Sequence, residues 1–269
     1  MPDALALRGL GDAMTSEPHI VGTTLDRVRT ITLNRPAVLN AMTVADLRML
    51  MRELLRCWRD DDIGAILITG AGRAFTAGHD LSATDLGAVG AGVWNDVFAV
   101  LRELPKPTVS AVNGTAVGGG LHLALACDIA LCLDDATVGE SFVWIGACPD
   151  TGGHIYLQRS VGYQRAAELL MVGRKLPARE LAEAGLFVSS WPTQEALMAE
   201  ATRIATHLAN GPRLSYAVTR AGLEYARLNS TAAVLAWEAE EEERMTKTHD
   251  MREGVAAFLE KRQPKFLGR

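Results

Sequence analysis

Two hydrophobic periods divide the chain. Residues Val28–Leu33 read VRTITL, a β-branched run that predicts a strand closed by the turn Asn34-Arg35-Pro36. Thr43 with Asp46 then makes a capping-box start, and Leu47, Leu50, Met51, Leu54, Leu55 and Trp58 recur at three and four residues, predicting a helix with one face on a sheet. The short apolar runs 65–69, 108–112 and 128–133 predict buried strands, with a helix over 93–101. Strands alternating with helices of this length imply right-handed βαβ units and a mainly parallel sheet, the α/β class.

From Tyr163 onward the pattern is helical, over 165–172, 178–184, 194–210, 215–229 and 231–248, with strand character only at 186–189. The division expected is a loosely ordered tail at 1–18, an α/β core at 19–200 and a helical region at 201–269. The tail carries Asp3 and lacks both a basic start and a continuous apolar block, which argues against a signal peptide.

Composition narrows the function classes. With 269 residues, 48% hydrophobic and 22% charged, the chain can bury a large core. A net charge of -5 argues against nucleic acid or an anionic membrane as partner, though a small basic patch could still hold phosphates. Residues 108–133 form the most apolar long window, but Asn113, His122, Asp128 and the glycines among them argue against a membrane span. Cys57, Cys127, Cys132 and Cys148 lack metal-ligand spacing and read as reduced thiols of a cytoplasmic protein without a metal site.

The candidate chemistry lies in two glycine-rich loops. The strand 65–69 runs into GAGRAFTAGHDL at 70–81, and the strand 108–112 into Gly118-Gly119-Gly120 and a helical run. In a parallel sheet ligands bind beyond the carboxyl ends of strands, so both loops are candidates for one site. A single such loop is explained by a tight turn. Two at successive strand ends point instead to paired backbone N–H donors aimed at one oxygen, because glycines at a helix start leave polarised amides bare. Gly70, Gly72 and Phe75 break the GxGxxG pattern and no GxxxxGK[ST] occurs, so a nucleotide cradle is not supported.

In order and spacing, LNRPAVLNAM, GRAFTAGHDL, AVNGTAVGGGLHLALACDIAL, the WIGACPDTGG segment and the terminal FLEKRQPKF resemble the enoyl-CoA hydratase/isomerase (crotonase) family over about residues 30–262. The resemblance implies a ββα spiral core followed by a helical trimerisation region, and trimers often paired into hexamers. It also implies an acyl-CoA thioester as substrate, with no separate cofactor. Carried over residue by residue, it puts an oxyanion hole on the backbone N–H groups of His79 and Gly119. Ala37 and Leu39, with Ala77, Gly78, His79, Asp80 and Leu81, would line the CoA and acyl entrance, and Arg73 or Lys261 would meet phosphates.

The acids and bases depart from the family's hydratases, which carry one glutamate two residues after the glycine triplet and another before the Ile-Gly turn. Here those positions fall on His122 and Phe142, with Glu140 two residues earlier. Asp150 falls where the resemblance places the aspartate of phenylacetate-pathway isomerases and of 4-chlorobenzoyl-CoA dehalogenases. The dehalogenases' helix histidine is replaced by Ala99. The expectation is therefore double-bond isomerisation with Asp150 as the single base, made more basic by Phe142 and Trp144, ahead of hydration. Pro-Asp-Thr-Gly is also a good type I turn, and His122 reads either as a packed polar residue or as an accessory acid or water holder. From another class comes a non-catalytic acyl-CoA binder, which an exposed Asp150 far from the thioester pocket would favour.

Overall fold

A computed structural model describes residues 18–83 and 88–269, so the expected tail, apart from Pro18, lies outside the described residues. Strands β1 (Ile20–Leu25) and β2 (Val28–Leu33) form an antiparallel hairpin, turned by Asp26 and Arg27, both at positive φ as a two-residue turn requires. Helix α1 (Val44–Arg59) starts at the Thr43 and Asp46 capping box read from the sequence.

Three ββα repeats come next: β3 (Ala65–Gly70), β4 (Ala74–Thr76) and α2 (Ala88–Glu103); β5 (Thr108–Val112), β6 (Thr115–Val117) and α3 (Gly119–Leu125); β7 (Ile129–Leu133), β8 (Thr137–Gly139) and α4 (Gly153–Ala167). Then follow β9 (Lys175–Pro177), α5 (Ala178–Glu183), β10 (Ser189–Trp191) and α6 (Gln194–Ala209), and last α7 (Arg213–Ala226), α8 (Thr231–Met245) and α9 (His249–Glu260). The first strand of each repeat joins a six-stranded sheet ordered β1-β2-β3-β5-β7-β10, parallel except for β1. The second joins a four-stranded sheet, β4-β6-β8-β9, in which only β9 is antiparallel. This is the expected ββα spiral.

Alternation along β3 divides the core. Ile66 and Ile68 pack toward Leu47, Leu50 and Leu54 of α1 and Val97 and Leu101 of α2. Ala65 and Leu67 face Leu197, Ala201, Ala205 and Ala209 of α6. The boundary expected at 200 therefore falls inside α6, whose alanine stripe lets it lie close on the sheet. Three expectations need correction. The strand expected at 186–189 lies at Ser189–Trp191. Residues 165–172 are not one regular helix, because a wider turn occupies Glu168–Val172, after Gly162 (φ 75°, ψ 168°) has already broken α4. The helical stretch is also interrupted by β9, too short to show an alternation of its own. Among the described residues no helix is long and apolar enough to cross a membrane.

Candidate active site

Both glycine loops leave the same end of the large sheet and meet there. The segment after β2 is fixed by Asn40, which adopts a left-handed φ of 55° and is buried. Its carboxamide donates to the carbonyls of Ala71, Ala74 and Phe75 and accepts from the Arg35 amide. Met42 then pairs across to the second loop, its N–H bonded to Gly78 O at 2.8 Å and its carbonyl to Asp80 N at 3.0 Å. Gly78 sits against the start of α3, where an added Cβ would lie 2.8 Å from Val117 O and 3.5 Å from the Gly119 and Gly120 nitrogens. The amides of His79 and Gly119, two positions expected from the sequence, are thus brought together.

Each glycine of the triplet faces a different neighbour. An added Cβ would fall 3.2 Å from the Phe142 ring at Gly118, 3.3 Å from Trp94 at Gly119 and 2.2 Å from Thr76 O at Gly120. Gly118 also holds a φ of 56° with ψ of -124°. Trp94, which sequence reasoning missed, donates its indole N–H to His79 Nδ1 at 3.2 Å, placing the proton of a neutral ring on Nε2. It stacks on Phe98, which in turn meets Tyr156 of α4, so an aromatic row runs out from the glycine loops.

His122 is fully buried on the first turn of α3. Its Nε2 lies 2.8 Å from Glu140 Oε1 and its Nδ1 2.5 Å from Thr151 Oγ1. Phe142 lies parallel to the imidazole, with centroids 5.8 Å apart and planes at 8°. The two positions where the resemblance put the hydratase glutamates thus carry rings stacked on each other, and buried Glu140 bonds the imidazole at Nε2.

Asp150 is exposed, between half-buried Pro149 and buried Thr151. The expected apolar enclosure by Trp144 is not formed in the single chain. That side chain is 62% exposed, donates to Val172 O and carries the Lys175 ammonium over its ring at 5.2 Å. Phe142 is turned onto His122 and Gly118. Ala37, Arg73, Leu81 and Lys261 face solvent and Leu39 and Ala77 are half-buried, as an entrance needs. Asp80 departs from that expectation, because its side chain is a buried brace. It accepts from the Ser82 hydroxyl and amide and from Arg35, which together hold its carboxyl below the usual range. Arg35 also reaches Ala41 O and Asp46, tying the first loop to the second.

Surface hollows at Asp134, Lys175 and Arg179 and at Tyr156, Leu186 and Val188 include none of His79, Gly119 or Asp150. Among the described residues no group of three His, Cys, Asp or Glu side chains is placed to hold a metal ion.

A sequence model of the family described as Enoyl-CoA hydratase/isomerase matches residues 23–269. The chain belongs to that family. A 1,2-epoxyphenylacetyl-CoA isomerase of Escherichia coli (strain K12) is 36% identical over 253 residues, covering 90% of this chain and 95% of that protein. A 2,3-dehydroadipyl-CoA hydratase of the same strain is 35% identical over 246 residues, covering 90% and 96%. A solved enoyl-CoA hydratase from Bacillus anthracis superposes with a TM-score of 0.89 at 29% identity, covering 94% of this chain and all of that one. The fold is the crotonase fold, and the chain is an acyl-CoA enzyme of the hydratase/isomerase type.

Family membership explains the shape of the loops but not the pairing of His122 with Glu140 and Thr151. His122 and Glu140 were legible singly, whereas Thr151 entered only as part of the Pro-Asp-Thr-Gly turn. Their contact was not, because they come from three separate segments. Trp94 gave no signal beyond one more apolar position among Val93 and Val97 on a helix.

Proposed function

We propose that this enoyl-CoA hydratase/isomerase family member is an isomerase that moves the double bond of an enoyl-CoA, with Asp150 as its base. The observation that carries this reading is the stacked pair of His122 and Phe142 where a two-glutamate hydratase would need both carboxyls. Hydration requires a held water and two proton carriers, whereas a 1,3-proton shift requires one. In the proposed reaction the thioester carbonyl accepts from the His79 and Gly119 amides. Asp150 takes a proton from the α carbon, giving a dienolate with its charge on that carbonyl oxygen, and returns it to the γ carbon. Each backbone donor of such a hole contributes on the order of 3 kcal/mol to stabilising the enolate-like transition state, without reorganising. Similarity to the epoxyphenylacetyl-CoA isomerase supports the reading.

The dehydroadipyl-CoA hydratase is almost equally similar, which keeps hydration as the second reading. Exposed Asp150 is what an acyl-CoA binder without chemistry would show. On the isomerase reading, the bound acyl group and a neighbouring subunit cover it. Exposed Leu223, Leu228, Leu235, Phe258 and Leu259 on or beside the last helices support a homotrimer or hexamer as the working form.

Incubation with a 3-enoyl-CoA and, separately, a 2-enoyl-CoA in D2O tests all three. We expect the double bond to shift with deuterium uptake and no 3-hydroxyacyl-CoA, and Asp150→Asn to lose the shift. Hydration of the 2-enoyl-CoA would overturn the isomerase, and tight binding with neither reaction nor exchange would leave the binder.

A further inference from the structure

We propose that His122 is a positioning residue, the peg that fixes the Asp150 segment to the helix carrying the oxyanion donor, with Thr151 and Glu140 as its two clamps. This role rests on the reading of Asp150 as the base.

One ring holds four points of the segment 140–153. Glu140 and Thr151 bond its two nitrogens, Phe142 covers one face, and the backbone of Gly153 leaves so little room that an added Cβ would fall 2.3 Å from Nε2. His122 itself belongs to α3, three residues after Gly119. Any displacement of the ring therefore moves Asp150, the residue before Thr151, relative to the thioester carbonyl site. Correct spacing between base and carbonyl is what a proton transfer needs most.

The direction of the bonds follows from the donor inventory. A carboxylate only accepts, so Glu140 keeps the proton of the ring on Nε2. Nδ1 of the neutral ring must then accept from the Thr151 hydroxyl. Without Glu140 the tautomer would be unspecified, and the ring could present Nδ1–H to the same hydroxyl and turn it away. Glu140 is retained at a cost, because its Oε2 is buried with no hydrogen-bond partner. Apolar packing would avoid that cost, so the carboxylate serves something packing does not supply, here the fixed tautomer. His122 and Glu140 are both buried from solvent. Both act through Thr151.

The test uses the full chain with Thr151→Val, which keeps the shape and loses the hydroxyl, Thr151→Ser, which restores it, and Glu140→Gln. Two measurements are made: 3-enoyl-CoA turnover, and amide hydrogen exchange of residues 150–153, which does not depend on turnover. We expect Thr151→Val to lower kcat about ten-fold or more with KM within about two-fold, the pattern of an interaction needed only in the transition state. Exchange in 150–153 should quicken at least about ten-fold in the same variant, Thr151→Ser should return both readouts toward wild type, and Glu140→Gln should fall between. Unchanged exchange in Thr151→Val would remove the clamp. Faster exchange with an unchanged kcat would remove the positioning role. A wild-type chain that never shifts the double bond would sink the isomerase reading, and with it catalytic positioning, while faster exchange in Thr151→Val would still show a purely structural clamp.

Discussion

At the scale of single residues, the site is held by polar side chains whose partners are mostly backbone. Asn40 closes the first loop onto three carbonyls, and Asp80 closes the second onto Ser82 and Arg35. Asp80 gives a pH prediction with a definite sign. Its folded carboxyl is held below its ordinary value, first by Ser82 and then by Arg35, so the stability it adds is present above the unfolded pKa near 3.8 and is lost as pH falls through the lower folded value. Asp80→Asn should therefore lower the thermal midpoint at pH 7, and the gap from wild type should narrow as the pH approaches 3. Equal gaps at both pH values would show that the charge of Asp80 contributes nothing. Such braces were hard to see in the sequence. The two glycine-rich loops were legible at successive strand ends, whereas the choice of the His79 and Gly119 amides within them came from the family resemblance. Asp80 was assigned to the entrance because it sits beside His79, and sequence alone does not say which way a side chain turns.

Among the elements, glycine separates the parts that must touch from those that only need to be helical. Gly120, on the first turn of α3, lies where a Cβ would meet Thr76 O at 2.2 Å, so Gly120→Ala must push α3 off β4. We expect a loss of about 1–3 kcal/mol in stability by denaturant melt. The turnover loss should be larger, on the order of 100-fold, because the oxyanion donors move with the helix. Gly92, exposed in α2, has nothing within 4 Å of an added Cβ. There the same substitution should stabilise by about 0.5–1 kcal/mol, since alanine is the better helix former. The sequence showed the long elements for the same reason. Strands β3, β5 and β7 are buried on both faces and read as continuous apolar runs, and α1 carries its own cap and stripe. Their companions β4, β6 and β8 have three residues each, fewer than a period-two pattern needs, so the second sheet could be reached only through the family resemblance.

For the whole molecule, the last three helices carry apolar surface that the single chain does not use, including Phe258 at 82% and Leu259 at 74% exposed. On the proposed trimer or hexamer these side chains are covered, and Phe258→Asp with Leu259→Asp should shift sedimentation toward the monomer. An unchanged species would place the interface elsewhere. Two arginines of α7 tie these helices back to the core: Arg213 pairs with Asp61 at 2.7 Å, and Arg220 makes several bonds at once. Its guanidinium takes the carbonyls of Leu101, Leu104 and Lys106 at the end of α2 and the carboxylate of Asp128 before β7. The sheets and their covering helix α6 are complete at Ala209, before any of this begins. During synthesis, then, the nascent chain can close the layer that holds the oxyanion loops while residues 213–269 are still being made. On the proposed trimer or hexamer, the apolar helices that meet other copies arrive only afterwards, held to the core by Arg213 as well as Arg220. Two copies made side by side would then meet as finished cores before either offers those helices.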